Sequence, residues 1–177
     1  MNDNRDEELA GETSQIRRCT DADLPVIDAI INEAAEAYRG VIPADCWHEP
    51  YMTRSALGAE IAAGVDFWGL DEFGLLIGVM GLQPVKDVTL IRHAYVSPAH
   101  QGRGLGGKLL RTMAGRSTGT LLVGTWAAAR WAIRFYERHG FRAVSAAETE
   151  RLLVTYWSIP PRQRETSVVL VYQPDGS

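Results

Sequence analysis

The sequence predicts one α/β domain with a mixed, mostly antiparallel sheet of six to seven strands flanked by helices. Three observations predict it. Short apolar runs such as Val88–Val96 (VTLIRHAYV) have strand character, whereas Leu105, Leu109 and Met113 recur at helical spacing. Val88–Val96, a glycine turn, that helix and a further strand at Leu121–Thr125 make a crossover, so the two strands should be parallel. The other strand connections are short enough for antiparallel pairing, and 177 residues, 46% hydrophobic and 23% charged, suit a single core.

Taken in order, residues 1–14 are acidic and polar and predict a disordered tail, unlike a secretory or transit peptide. The domain should span 15–173, with 174–177 a second tail. Gln15–Cys19 suits a first strand. Thr20, Asp23 and Pro25 form a helix start, and Leu24, Ile27, Ile30, Ile31 and Ala34 form the buried stripe of a helix reaching about Tyr38. A loop rich in Pro, Gly and aromatics follows, and Thr53 caps a second helix ending near Gly64. Asp66–Gly69 and Leu75–Val85 are strands joined by the turn Asp71–Gly74. A helix over about Ala128–His139 stops at Gly140. Arg142–Ser145 is a short strand, 146–165 a long excursion, and Thr166–Tyr172 the last strand.

The chemistry concentrates between Val96 and Lys108, VSPAHQGRGLGGK. Glycines let a ligand approach the backbone, and the first free N–H groups of a helix bind anions. From Val88 to Tyr136 the chain has six Arg, one Lys and no Asp or Glu, inside a protein of net charge −4. That pattern fits a local anionic ligand or a solvated basic face. GRGLGG satisfies the dinucleotide fingerprint, but the next strand lacks the acid that would hold a ribose. GRGLGGKL approaches a P-loop, but Leu109 stands where a metal-binding Ser or Thr belongs. QGRGLG fits a third pattern: Gln or Arg, two residues, Gly, one residue, Gly or Ala.

On VSPAHQGRGLGGKLL, followed by AIRFYERHGFR at 132–142, the chain resembles the GNAT family of N-acetyltransferases, over about residues 15–173. The resemblance implies a sheet whose central strands splay apart and acetyl-CoA as co-substrate, with no metal. It implies direct acetyl transfer to a primary amine. Backbone groups near Tyr95, Val96 and Pro98 would hold the pantetheine arm. Gln101, Gly102, Arg103, Gly104, Leu105, Gly106, Gly107 and Lys108 would hold the pyrophosphate. Tyr136 would protonate the departing thiolate. The motif often carries an Asn where this chain has Ala129, and many relatives carry a Glu on the central strand where this one has none. His93 on that strand is one candidate base, since imidazole titrates near neutrality. Water-linked Glu33, Glu36, Asp45 or Glu49 are others. Tyr38, Trp47 and Tyr51 in the first loop, with Ile42 and Pro43, and Tyr156 and Trp157 in the late excursion are expected to shape the acceptor pocket.

The expected partner is a small-molecule amine, with a homodimer one expected assembly because dimers are common in the resembled family. Acetylation of a protein N-terminus or lysine, or a non-catalytic acetyl-CoA sensor, are the alternatives. An acidic chain with no recognised module argues against nucleic acid, and no apolar run approaches the ~18–20 residues of a membrane span. Cys19 and Cys46, without metal-ligand spacing, fit a reducing cytoplasm and no structural zinc.

Overall fold

The computed structural model describes residues 14–174. The expected tails therefore lie outside the described residues, except that Ser14 already belongs to β1 and Pro174 follows the last strand. Seven strands form one sheet: β1 (Ser14–Arg18), β2 (Asp66–Glu72), β3 (Leu75–Val85), β4 (Val88–Val96), β5 (Thr120–Trp126), β6 (Phe141–Ala143) and β7 (Ser167–Tyr172). Their spatial order is β1-β2-β3-β4-β5-β7-β6. Every neighbouring pair is antiparallel except β4 and β5, as the crossover requires.

Six helices cover the sheet: α1 (Leu24–Ala35), α2 (Arg54–Ala62), α3 (Leu105–Arg116), α4 (Arg130–Glu137), α5 (Ala146–Tyr156) and α6 (Pro161–Glu165). The stretch expected as a long excursion folds into α5 and α6, because Ser145 Oγ accepts the Glu148 N–H at 3.2 Å and nucleates α5. Thr53 caps α2 as expected, its Oγ accepting the Ala56 N–H at 3.1 Å. Side chains alternate across the strands, so the two faces bury different sets. Leu105, Leu109, Leu110 and Met113 of α3 and Tyr136 of α4 pack on Met80, Ile91, Leu121 and Val123. On the opposite face, α1 and α2 cover Phe67, Leu76 and Val79, while Leu152 and Leu153 of α5 cover Leu90, Leu122 and Val169.

Arg17 ties β1 to both layers. Its guanidinium donates to Asp23 before α1 at 2.8 and 2.9 Å and to Asp71 of β2 at 2.9 Å. Arg17, by its hydrogen bonds, holds the Asp23 carboxyl well below the usual carboxylate range. Because the folded-state value is depressed, this contribution is complete above the unfolded carboxylate pKa of ~4 and is lost as pH falls further. Arg17→Met should therefore lower the melting temperature at pH 7, and the gap to wild type should narrow as the pH drops below about 4. Thermal unfolding followed by circular dichroism across that range checks this.

Candidate functional site

β4 and β5 pair only from Val88↔Thr120 to Ile91↔Val123. Beyond that point they diverge. On its other side β4 stays paired with β3, but through a bulge: Gly81 faces Arg92 and Val79 faces Tyr95, so His93 and Ala94 stand opposite Met80 alone. His93 takes a left-handed φ of 51°, which turns the strand away from β5. β5 continues along β7 to Trp126. The opening is thus walled by Arg92–Val96 on one side and Gly124–Trp126 on the other, with no β4–β5 ladder between them.

Two cavities meet in this opening. The larger, about 650 Å³, lies on the α3/α4 face between β4, the glycine turn and α4. The smaller, about 100 Å³, lies on the opposite face beneath the 38–51 loop and the α5–α6 segment. Tyr38, Tyr95 and Thr125 line both. At the outer end of the large cavity, Gly102 and Gly104 adopt φ values of 81° and 71°, and α3 begins at Leu105. Its first helical hydrogen bond runs from the Lys108 N–H to the Gly104 carbonyl, at 3.1 Å. The N–H groups of Leu105, Gly106 and Gly107 are left over at the helix start, where they favour an anion. Gly107 is forced by packing as well, because a Cβ there would run into His139 Nε2 of the turn after α4. His139 is fixed by its Nδ1–H, which donates to the Phe135 carbonyl at 2.7 Å.

Tyr136 lines the large cavity, and among the described residues nothing hydrogen-bonds its hydroxyl. Burial, with the nearby Tyr38, pushes its phenol well above the ordinary value, so it stays protonated. In the small pocket Tyr51 accepts a hydrogen bond from Trp126 Nε1 at 2.9 Å, and burial pushes the Tyr51 phenol up to about 12. Tyr38 packs against Tyr51 (5.5 Å between centroids), Tyr95 (6.4 Å) and Trp131 (5.8 Å). Trp157 lies over Gly124, where a Cβ would sit 3.4 Å from the indole.

Of the residues expected from sequence, Tyr95, Val96, Gln101, Gly102, Gly104, Leu105, Gly106, Gly107 and Tyr136 line the large cavity. Tyr38, Tyr51, Trp157 and His93 line the small one. Others stand elsewhere. Pro98 is exposed in a 3-10 turn and lines neither cavity. Arg103 forms a two-pronged ion pair with Glu72, at 2.6 and 3.2 Å. Lys108 reaches back to Ser14, donating to its carbonyl at 2.6 Å and its hydroxyl at 2.8 Å. Trp47 backs Tyr51 from behind, with Arg39 over its ring. Tyr156 points to the β3–β4 turn, where its hydroxyl donates to Asp87 at 2.8 Å, because its helical position turns it away from the pocket. Glu36 and Glu49 pair with Arg39, Asp45 pairs with Arg162, and none of these carboxylates, nor Glu33, lines the small pocket.

Sequence reasoning missed Glu60, which meets His93 and Arg92 from α2, and the basic residues Arg111 and Arg138 of the large cavity. Neither of those arginines forms an ion pair among the described residues. Arg138 lies within the 132–142 motif, two residues after Tyr136, a signal that could have placed it; Glu60 carried no local signal, since it lies 33 positions before His93. Among the described residues no group of His, Cys, Asp and Glu is placed to hold a metal ion, and no helix is long and apolar enough to cross a membrane. Cys19 and Cys46 are free thiols.

The comparisons bear on the fold. Residues 63–143 match the family model described as acetyltransferase (GNAT) domain. The PaiA N-acetyltransferase of Thermoplasma acidophilum, solved with coenzyme A, superposes with a TM-score of 0.66 at 17% identity, over 90% of this chain and 98% of its own. The ribosomal-protein-S18-alanine N-acetyltransferase of Escherichia coli gives 0.64 at 19% identity, over 93% and 97%. N-acetylglutamate synthase of Neisseria gonorrhoeae, solved with coenzyme A and N-acetyl-glutamate, gives 0.61 at 25% identity, over 90% of this chain but 34% of its own. No curated protein matches the chain at the sequence level. The fold is that of the GNAT acetyltransferases, and residues 63–143 match that family's model.

A hydroxyl that supports a core through a hydrogen bond costs about 1 kcal/mol or more when removed. The Tyr136 hydroxyl has no such bond, so Tyr136→Phe should unfold within about 0.5 kcal/mol of wild type. Urea denaturation tests this, and a larger loss would make the hydroxyl structural.

Proposed function

We propose that the protein is an acetyl-CoA-dependent N-acetyltransferase that moves the acetyl group directly to a primary amine of a small molecule. One observation carries the reading: two cavities on opposite faces of the sheet join at the β4–β5 opening, so two substrates can meet there from different sides. The larger falls within the ~300–1,000 Å³ of ordinary ligand sites and ends at a glycine cradle with free N–H donors, as a diphosphate needs. Two of the compared structures were solved with coenzyme A.

The acceptor ammonium would enter the small pocket, where the rings of Tyr38, Tyr51, Trp126 and Trp157 suit a cation with an apolar body. About 100 Å³ favours a compact amine over a folded protein segment. His93 is the candidate to take the ammonium proton, and the freed amine would attack the thioester carbonyl. Backbone donors freed along Arg92–Val96 can stabilise the developing oxyanion. Tyr136 would then give its proton to the departing thiolate. Burial raises a thiol and a phenol alike, so the raised phenol is still matched to a thiolate leaving in the same cavity.

Thiol release from acetyl-CoA should accompany turnover of small primary amines, with short peptides poor acceptors. Tyr136→Phe should lower kcat by about 10²-fold or more with little change in the KM for acetyl-CoA. Wild-type turnover in that variant would remove Tyr136 from the chemistry. Acetyl-CoA binding without turnover of any amine would favour a binding module.

A further inference from the structure

We propose that Glu60 is the positioning residue for His93, holding the imidazole by its Nε2–H so that the bare Nδ1 lone pair serves the small pocket as base. The inference rests on the acetyl-transfer reading above and deepens it by naming the group that makes His93 competent.

The bulge puts His93 where no regular strand residue would stand, at a backbone angle that a non-glycine residue seldom adopts. Such a position persists only when its surroundings hold it. Glu60 supplies much of that hold. One carboxylate oxygen meets His93 Nε2 and the other meets Arg92 Nη2 at 3.1 Å. Arg92 is itself fixed by donating to Gln83 Oε1 at 2.9 Å. Phe67 of β2 stacks beside the imidazole at 6.1 Å.

These contacts fix the tautomer. Burial pushes the Glu60 carboxyl up, but His93 and Arg92 outweigh burial and hold it below its ordinary value, so it is anionic near neutral pH. An anionic carboxylate can only accept, so the proton of neutral His93 must sit on Nε2. Nδ1 then carries the lone pair. It has no hydrogen-bond partner among the described residues, and His93 lines the small pocket. The charged and titratable groups around the ring are Glu60 from α2, Arg92 next to it on β4 and Tyr51 from the loop. Among the described residues around the ring Glu60 is the one anion, and it touches the ring that becomes cationic.

The step balances. The acceptor ammonium gives a proton to Nδ1. Its nitrogen forms the C–N bond at the thioester carbonyl, the adduct's nitrogen loses its second proton to solvent, the C–S bond breaks, and the thiolate takes the Tyr136 proton. The imidazolium returns its proton to solvent and Tyr136 regains one from solvent. Glu60 gains and loses nothing; its effect is orientation and charge.

The competing explanation is a strut: Glu60 ties α2 to β4 and has no part in the reaction. Nitrogen-15 NMR of the full chain separates the two without any substrate. The wild-type His93 should show the Nε2–H tautomer. In Glu60→Gln that preference should weaken, because an amide can either accept or donate. The kcat/KM for the acceptor should fall about tenfold or more, with the KM for acetyl-CoA unchanged. An Nδ1–H tautomer in the wild type overturns the proposal. So does a Glu60→Gln protein that loses thermal stability while the His93 tautomer and the acceptor kcat/KM stay put. A wild-type protein that turns over no amine with acetyl-CoA would sink the acetyl-transfer reading instead, whatever the tautomer.

Discussion

The site depends on where the β4–β5 ladder stops. Four residue pairs hold the two strands together, and then the bulge at His93 and Ala94 turns β4 aside. Backbone N–H and C=O groups are obligatory hydrogen-bonding groups, and strands that part leave some without partners. At the edge of a sheet water would satisfy them. Here the parting occurs in the middle of a seven-stranded sheet, with β3 and β7 still paired on the outer sides. The freed groups therefore face an interior opening, where a ligand with amide and carbonyl groups can replace water. A bulge is a local event of one extra residue, yet in this position it converts a continuous sheet into a passage between its two faces.

The two ends of that passage are built by different physics. The cradle end is local: the end of β4 at Val96, two left-handed glycines and a helix start follow one another within 96–107. The acceptor end is assembled from distant segments. Trp126 of β5 donates to Tyr51 of the first loop, and Arg162 of α6 reaches Asp45 of the same loop at 2.7 Å. The Arg162–Asp45 pair is half exposed on both sides and is worth little by itself. The aromatic cluster of Tyr38, Tyr51, Tyr95 and Trp126 supplies the larger share of the cohesion through buried ring area. The cradle is consequently fixed by backbone, and the acceptor pocket by packing of side chains.

That difference explains what was legible in the sequence. The strand at 88–96, the glycine turn and α3 could all be read, because hydrophobic period and glycine spacing are local signals. Tyr136 followed from its motif. The charge argument reached less far. Seven cations without a carboxylate over 88–136 pointed to an anion, but four of them have partners within the chain: Arg92 with Glu60, Arg103 with Glu72, Lys108 with Ser14, and Arg116 over Trp68 at 4.1 Å. Those partners lie 31 or more positions away for Arg103 and 94 for Lys108, so only the fold brings them in. The base was sought at His93 and among Glu33, Glu36, Asp45 and Glu49, and Glu60 was invisible until α2 was laid against β4. The helical character of 146–165 was available, since Ser145 and Glu148 have the spacing of a helix cap.

The arrangement also bears on how the acetyl group travels. A covalent relay needs a nucleophile that both substrates can reach in turn. The two thiols of the chain do not offer one: Cys46 is buried in the aromatic cluster, Cys19 lies at the end of β1, and neither lines a cavity. Burial also pushes the Cys19 thiol up to about 12, away from the thiolate that a nucleophile requires. The passage does not need a relay. Tyr38, Tyr95 and Thr125 line both cavities, so on the proposed function an amine from the α2/α5 face and a thioester from the α3/α4 face would share the same short stretch of wall. Each substrate has its own access, so neither must leave before the other arrives. Two reactants held at such a junction react as one complex, and the entropy of bringing them together is met by binding. On the proposed function, direct attack of an amine on the thioester needs no carrier between the two cavities.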